Sequence, residues 1–343
     1  MNTKKYYGIM KYSSINIGDE IQSVAAMRFL PKIDEYVHRE KINSFQSKGN
    51  KKVKLIMNAW WMWQLENFPP SENIEPLLIS MYIRKQHREK FLTPKVKEYF
   101  LKYGPVGCRD QATAEWLNEE EIPAYFSGCL TLTLERNRKI KRENHILCVD
   151  CPKEAIEEIK RRTKRPVYSI SRMLTPYYTA KQRLEVAKIM LKLYQSAFCV
   201  VSPRLHVVLP CLALQTPVLR IIAPEKIIGE PSRYSGYENF IHTVNIEDFI
   251  KDKRIYNFAF PPKNPNKHME IRKKLIDVCS KFTGFDNKNS IIDDKQNSLI
   301  ELIKLSQYKY PQIKRLLYWA KEEDMEEIIK LRGGGVNKHD LEF

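Results

Sequence analysis

FCVVSPRLHVVLPCLALQ, Phe198 to Gln215, is an apolar β-type run that stops on polar residues and passes directly into a second apolar segment. Its first half is short, rich in β-branched side chains and without alternation, the signature of a strand buried on both faces. Its second half is predicted as a helix, with Ser202 as the N-cap and Pro203 in the first helical position. On that reading Arg204 and His206 fall in the first turn, pointing in different directions, while Leu205 faces the sheet. A buried, unpaired Arg is prohibitively costly, so Arg204 calls for an anionic partner. His206 is open to two readings, a proton-transfer group or a hydrogen-bonded core histidine.

The same strand-then-helix alternation extends in both directions. Strands are predicted at Lys5–Met10, Val53–Asn58, Leu77–Ser80, Val106–Arg109 and Ala124–Phe126, and again at His145–Asp150, Pro166–Ser171 and Pro217–Ile222. Helical spacing links Ile21, Val24, Ala25 and Met27, and likewise Ala187, Met190, Leu191 and Tyr194. Alternation of this kind predicts an α/β fold with parallel sheets covered on both faces. The polar stretch ERNRKIKREN, Glu135 to Asn144, reads as a linker. It divides the chain into an N-terminal lobe, 1–140, and a second lobe, 141–284. Residues 285–343 are expected to form a helical C-terminal extension with a frayed tail from Gly333.

In open parallel sheets, ligands collect at strand carboxyl ends, where helix N-termini point. Two further junctions place polar residues there. Asn16-Ile17-Gly18-Asp19-Glu20 leads into IQSVAAMRFL; Asp19 reads either as a plain helix cap or as a carboxylate able to take a proton from a hydroxyl. Gly107-Cys108-Arg109-Asp110 leads into QATAEWL, with Asp110 as cap and Arg109 suited to a phosphate or carboxylate, or else to a surface salt bridge. Lys226 follows the strand PVLRII at another carboxyl end. The inventory suits a small dianion or trianion and one proton transfer.

Composition narrows the alternatives. A chain of 343 residues, 43% of them hydrophobic, is long enough for two cores. Its net charge of +17 favours anionic partners, but the lysines are dispersed among glutamates and no nucleic-acid module accompanies them, so no specific nucleic acid is expected. The seven cysteines are odd in number and scattered through apolar segments, which suits reduced thiols; Cys148-x-x-Cys151 lacks the second pair a zinc site needs, and no metal is expected. No apolar leader follows MNTKKYYGIMKYSS. The expectation is a cytoplasmic protein, with peripheral contact to the anionic inner face of the membrane.

NIGDEIQSVAAMRFL, LIMNAWWM, GCRDQATAEWL, AYFSGCLTLTL, SPRLHVVLPCLAL with TPVL, and HMEIRKKLIDVCSKF together resemble the polysaccharide pyruvyl transferase family, in order and approximate spacing. The resemblance spans about Lys5 to Gly284. It implies two Rossmann-like lobes facing a cleft, similar to GT-B glycosyltransferases, with the first lobe on the acceptor side. It also implies transfer of the enolpyruvyl carbon of phosphoenolpyruvate onto two sugar hydroxyls, giving a pyruvate ketal and phosphate. Phosphoenolpyruvate is then a co-substrate, no cofactor is needed, and the sugar acceptor is lipid-linked or nucleotide-linked. By the resemblance, Arg109, Arg204, Leu205 and Ser202 bind phosphoenolpyruvate, His206, Lys226 and Asp19 are catalytic, and Asn16, Asn58 and Trp60 are expected acceptor contacts. Two positions depart from the family pattern: many members carry Gly where this chain has Gln215, and Asp within the segment that here reads Ser127-Gly128-Cys129. A nucleotide-sugar glycosyltransferase and a basic anion-binding or glycan-binding module remain the alternatives.

Overall fold

The computed structural model describes residues 5–173, 179–223 and 230–294. Lys226 and the predicted helices beyond residue 294 lie outside these residues. In chain order the strands are β1 Tyr6–Lys11, β2 Glu35–His38, β3 Val53–Ile56, β4 Trp60–Trp61, β5 Ile74–Leu77, β6 Tyr82–Ile83, β7 Val106–Cys108 and β8 Ala124–Phe126. They continue with β9 Ile146–Val149, β10 Val167–Ile170, β11 Cys199–Ser202, β12 Val218–Ile222 and β13 His242–Asn245. The helices are α1 Gly18–Met27, α2 Arg88–Phe91, α3 Pro94–Tyr103, α4 Gln111–Glu119, α5 Lys153–Arg162, α6 Ala180–Ser196, α7 Leu205–Ala213, α8 Ile246–Lys251 and α9 Met269–Thr283.

The fold is mixed α/β with parallel sheets. One sheet has the order β2-β1-β3-β5 and the other β10-β9-β11-β12-β13, with every pair parallel. Two short parallel pairs, β4–β6 and β7–β8, complete the strands. The central strands β9 and β11 are buried at every residue, which is why their sequences ILCV and CVVS show no alternation.

One apolar cluster spans both sheets. It joins Ile9 of β1, Val24 of α1, Leu147 of β9, Leu191 of α6 and Val207 and Val208 of α7. Helices α1, α6 and α7 pack mutually, so each sheet shares part of its cover with the other. The stretch 135–144 contains no α-helix or strand, but it is anchored: Glu135 receives Arg28 of α1 at 2.7 Å and Arg272 of α9 at 2.5 Å.

Three local expectations are corrected. The strand expected at Leu77–Ser80 is Ile74–Leu77, because Ser80 takes the left-handed conformation (φ 53°) and turns the chain so that Met81 bridges Cys108. β2, an edge strand with only Val37 buried, carries too little apolar signal to be read from sequence. Helix α7 starts at Leu205 with Arg204 as N-cap, two residues later than predicted, because the Ser202 hydroxyl closes a tight turn onto the Arg204 N–H.

Gln215, where many family members carry Gly, has φ 59°. It closes the turn between α7 and β12, its N–H bonded to the Leu212 carbonyl at 3.1 Å. A left-handed residue with a side chain costs roughly 1–2 kcal/mol, which glycine avoids. Gln215→Gly should therefore leave stability unchanged or raised in denaturant titration, whereas Gln215→Val, β-branched at the same φ, should lower it by roughly 1–2 kcal/mol.

Candidate active site

Both sheets reverse their strand order beside a central strand. In the second, β10 lies on one side of β9 and β11 on the other; in the first, β2 and β3 flank β1. Each reversal opens a crevice beyond the strand carboxyl ends, the place where α/β sheets bind ligands. The loops after β9 and β11 supply Asp150 and Ser202–His206, and the loops after β1 and β3 supply Asn16–Asp19 and Asn58. His206 lies directly against Gly18: a Cβ added at Gly18 would stand 3.0 Å from His206 Nδ1 and 2.8 Å from Asn16 Oδ1. The two crevices therefore share a wall that only glycine permits.

Asp150 organises the second crevice. Its Oδ2 faces Arg172 Nε at 2.6 Å and Arg204 Nε at 3.2 Å, and its Oδ1 accepts from Ser171 Oγ at 2.9 Å. One carboxylate thus serves two guanidiniums. Burial, followed by the nearby Arg172, lowers the Arg204 pKa to about 10 despite Asp150. Arg172 also donates to Asn16 Oδ1, and the Ile17 N–H donates to the Arg172 carbonyl at 3.1 Å, tying the β1 and β10 loops together.

Arg109 follows β7 and is wholly buried. Its Nη1 lies 3.2 Å from Gln22 Oε1 and 3.3 Å from His206 Nε2, and its guanidinium stacks 4.4 Å above the Tyr82 ring. Nε and Nη2 have no hydrogen-bond partner among the described residues, and no carboxylate pairs with Arg109 there. The surface-salt-bridge reading is excluded by this burial. Desolvation, reinforced by Arg233, pushes its pKa down. The neighbouring Asp110 caps α4 as expected, accepting from the Thr113 N–H at 2.9 Å.

His206 is buried at the start of α7, with non-helical φ −80° and ψ 18°. A guanidinium only donates, so Nε2 accepts from Arg109 and the ring proton resides on Nδ1. Desolvation, then Arg109, Arg233 and Arg172, hold the imidazole pKa well below its usual value. Arg233 belongs to the 3-10 turn Pro231–Tyr234, which the Tyr234 hydroxyl pins to the Pro203 carbonyl at 2.7 Å. Arginines 109, 172 and 233 thus act on one neutral histidine, while Arg204 shares Asp150 with Arg172. Sequence reasoning identified two of these four arginines. Arg172 stands at a strand carboxyl end, where the same rule finds it; Arg233 and Gln22 carry no local signal.

The remaining expected residues divide by placement. Asn16 lies in the shared wall. Asp19 does not cap α1; Asn16 Oδ1 accepts the Gly18 N–H at 2.8 Å instead, and Asp19 Oδ2 receives Ser14 Oγ at 2.8 Å and faces Arg39 at 3.5 Å. Asn58 is buried, donating at 2.7 Å to the carbonyl of Gln22, whose side chain meets Arg109. Trp60 stands apart, with Arg39 over its ring at 4.6 Å and Trp63 edge-on. Leu205 is committed to the apolar core, and the Ser202 hydroxyl is consumed by the Val149 carbonyl and the Arg204 N–H, so both side chains shape the turn without facing the crevice.

Comparison with known proteins gives one family. The family model described as polysaccharide pyruvyl transferase matches residues 16–224, which contain every placed site residue except Arg233. No curated protein matches the chain. Among solved structures, a functionally uncharacterized protein from Klebsiella pneumoniae has 15% identity and a TM-score of 0.44, covering 71% of this chain and 93% of its own. The Escherichia coli heptosyltransferase WaaC with ADP has 9% identity and a TM-score of 0.29, covering 72% and 99%.

The Gly18 contact makes a specific demand. Gly18→Ala should displace His206 and Asn16 and weaken binding of inorganic phosphate at the arginine cluster by about tenfold or more, an order of magnitude typical of a small misplacement. Calorimetric titration measures it, and unaltered phosphate affinity in Gly18→Ala would show that the wall is not part of the anion site.

Proposed function

The chain belongs to the polysaccharide pyruvyl transferase family, and from that premise we propose that it transfers the enolpyruvyl group of phosphoenolpyruvate onto two hydroxyls of a sugar acceptor, releasing phosphate. One observation carries the reading: Arg109 is fully buried, has two donor nitrogens without a partner among the described residues, and touches His206. An uncompensated guanidinium in that setting is stable only if an oxyanion visits it. In this reading the two sheets are the Rossmann-like lobes of a GT-B-like arrangement, and the crevices at their strand ends form one cleft.

Phosphoenolpyruvate offers a phosphate and a carboxylate, both matched by guanidinium forks. Arg109 and Arg233 hold one group, and Arg172 and Arg204 the other, assisted by the uncapped N-terminus of α7. When Arg109 turns to the anion it releases His206 Nε2. The added negative charge offsets the surrounding arginines, and the ring takes up a proton. That proton goes to the methylene carbon, turning it into the methyl group, while positive charge develops at the neighbouring carbon. The first acceptor oxygen bonds to that carbon and the C–O bond to phosphate breaks, the leaving electron pair being stabilised by the arginines. The second hydroxyl attacks the same carbon and closes the ketal, its proton passing to the released phosphate. Asp19, adjacent to Gly18 and with Oδ1 free of hydrogen bonds from the described residues, takes the proton of an attacking hydroxyl. Lys226 is the remaining cation of this scheme.

Proton uptake separates this mechanism from simple anion binding. The free-state imidazole pKa is depressed and the bound-state value is restored, so binding must become tighter as pH falls between them, by up to tenfold per unit for one proton. Calorimetry in buffers of different ionisation enthalpy should show proton uptake with phosphoenolpyruvate that is lost in His206→Gln; the variant corrects for the ligand's own titration. His206→Ala should retain phosphoenolpyruvate binding and lose roughly 10²- to 10⁴-fold in phosphate release with a sugar acceptor. A nucleotide sugar raising the melting temperature while phosphoenolpyruvate leaves it unchanged would reverse the assignment in favour of a glycosyltransferase.

A further inference from the structure

The stretch Glu135–Asn144, read from sequence as a linker, forms one wall of a cavity of about 860 Å³. Leu212 and Ala213 from the last turn of α7, Pro217 ahead of β12, and the segment from Lys263 to Met269 leading into α9 form the rest. His206 begins α7 and this cavity adjoins its end, so the two sites sit at opposite ends of one helix.

The charges that line the cavity do not balance. Among the described residues Glu135 is the one carboxylate lining it, and that group is already shared between Arg28 and Arg272. Arg136, Arg138, Arg142 and Lys263 form no ion pair among the described residues. The Nε atoms of Arg136 and Arg142 are buried without a hydrogen-bond partner, and Arg142 otherwise donates to the Gln215 carbonyl. Burial, and then repulsion from Arg136, push the Arg142 pKa down. Helix α9 opens on this side with His268 as N-cap and no side-chain cap; the Asn266 carbonyl takes the Met269 N–H at 3.0 Å, and the positive end of the helix dipole still faces the cavity. Two guanidiniums held close together with buried donors and no carboxylate of their own are arranged as a receptor for an anion from outside.

We infer that this cavity is a second anion site, which binds a phosphorylated ligand carrying at least two negative charges, at the end of the sheet away from the Arg109–His206 site. Its volume lies in the range that holds an organic molecule, several times what a lone phosphate fills. Met269, 53% exposed at the rim, gives the ligand's non-ionic part an apolar contact. The phosphate could be that of a soluble diphosphate or of an anionic phospholipid headgroup; the recognition chemistry is the same.

Two probes distinguish these sources. Inorganic pyrophosphate is titrated calorimetrically into wild type, into Arg136→Gln/Arg142→Gln, and into Arg138→Glu/Lys263→Glu, whose altered side chains are exposed. Sedimentation with vesicles of phosphatidylcholine, with and without phosphatidylglycerol, is run in parallel, and melting temperatures establish that each variant is folded. Two pyrophosphate sites in wild type, with one lost or weakened at least tenfold in both variants, supports a soluble ligand. Binding only to phosphatidylglycerol vesicles, lost in the variants, supports the headgroup. If neither probe separates wild type from folded variants, the site does not exist. Because Arg109 and His206 are untouched, phosphoenolpyruvate binding is unaffected by either result.

Discussion

A buried guanidinium that forms no ion pair among the described residues is the constraint around which the rest of the site is arranged. Arg109 is desolvated, and among the described residues its guanidinium meets two acceptors, the amide of Gln22 and the ring nitrogen of His206. Nearby, Asp150 alone serves Arg172 and Arg204. Such a concentration of positive charge opposes folding unless an anion completes it, and proteins tolerate that opposition mainly where it performs chemistry. Desolvation, and then the same excess of positive charge, hold the His206 pKa well below its usual value.

The assembly depends on reversals of strand order and on a glycine. Each sheet delivers its loops to a crevice because the chain changes direction beside β1 and beside β9. The crevices can meet because Gly18 has no side chain where the imidazole lies. Arg172 then bridges them by gripping Asp150 on one side and Asn16 on the other. Tyr234, bonded to the Pro203 carbonyl, brings Arg233 to the same place from a distant part of the chain.

What the sequence made legible follows from which physical signals are local. Fully buried strands such as ILCV and CVVS are local and legible to within a residue at each end, whereas the apolar spacing Ile21–Met27 and Ala187–Tyr194 marks α1 and α6 without their starts. The strand-end rule likewise located Arg109, Arg204 and His206. Burial of a hydroxyl is not local: Ser202 reads as a helix cap until the Val149 carbonyl is seen to claim it, which delays the start of α7. Arg233 was illegible because its contribution is made by tertiary packing of a short 3-10 turn. ERNRKIKREN reads as a linker from its polarity, whereas Arg136 and Arg142 have buried Nε atoms; polarity alone does not reveal what a neighbouring helix end encloses.

Helix α9 closes back on the beginning of the chain. The Tyr7 hydroxyl donates to the Thr283 carbonyl, Lys54 to the Phe282 carbonyl, and Arg28 holds Asp286 at 2.7 Å while the Asn287 N–H reaches the Arg28 carbonyl. During synthesis on the ribosome the first sheet can pair its own strands early, since β1, β2 and β3 are close in sequence. Its helix α1 nevertheless waits for α6 to complete its cover, and its buried Arg28, which meets Thr133 and Glu135 first, waits for Asp286 to complete its ion pairs. The nascent N-terminal half therefore emerges with unsatisfied apolar and cationic surface for most of translation, the interval in which chaperone capture and misassembly compete with folding.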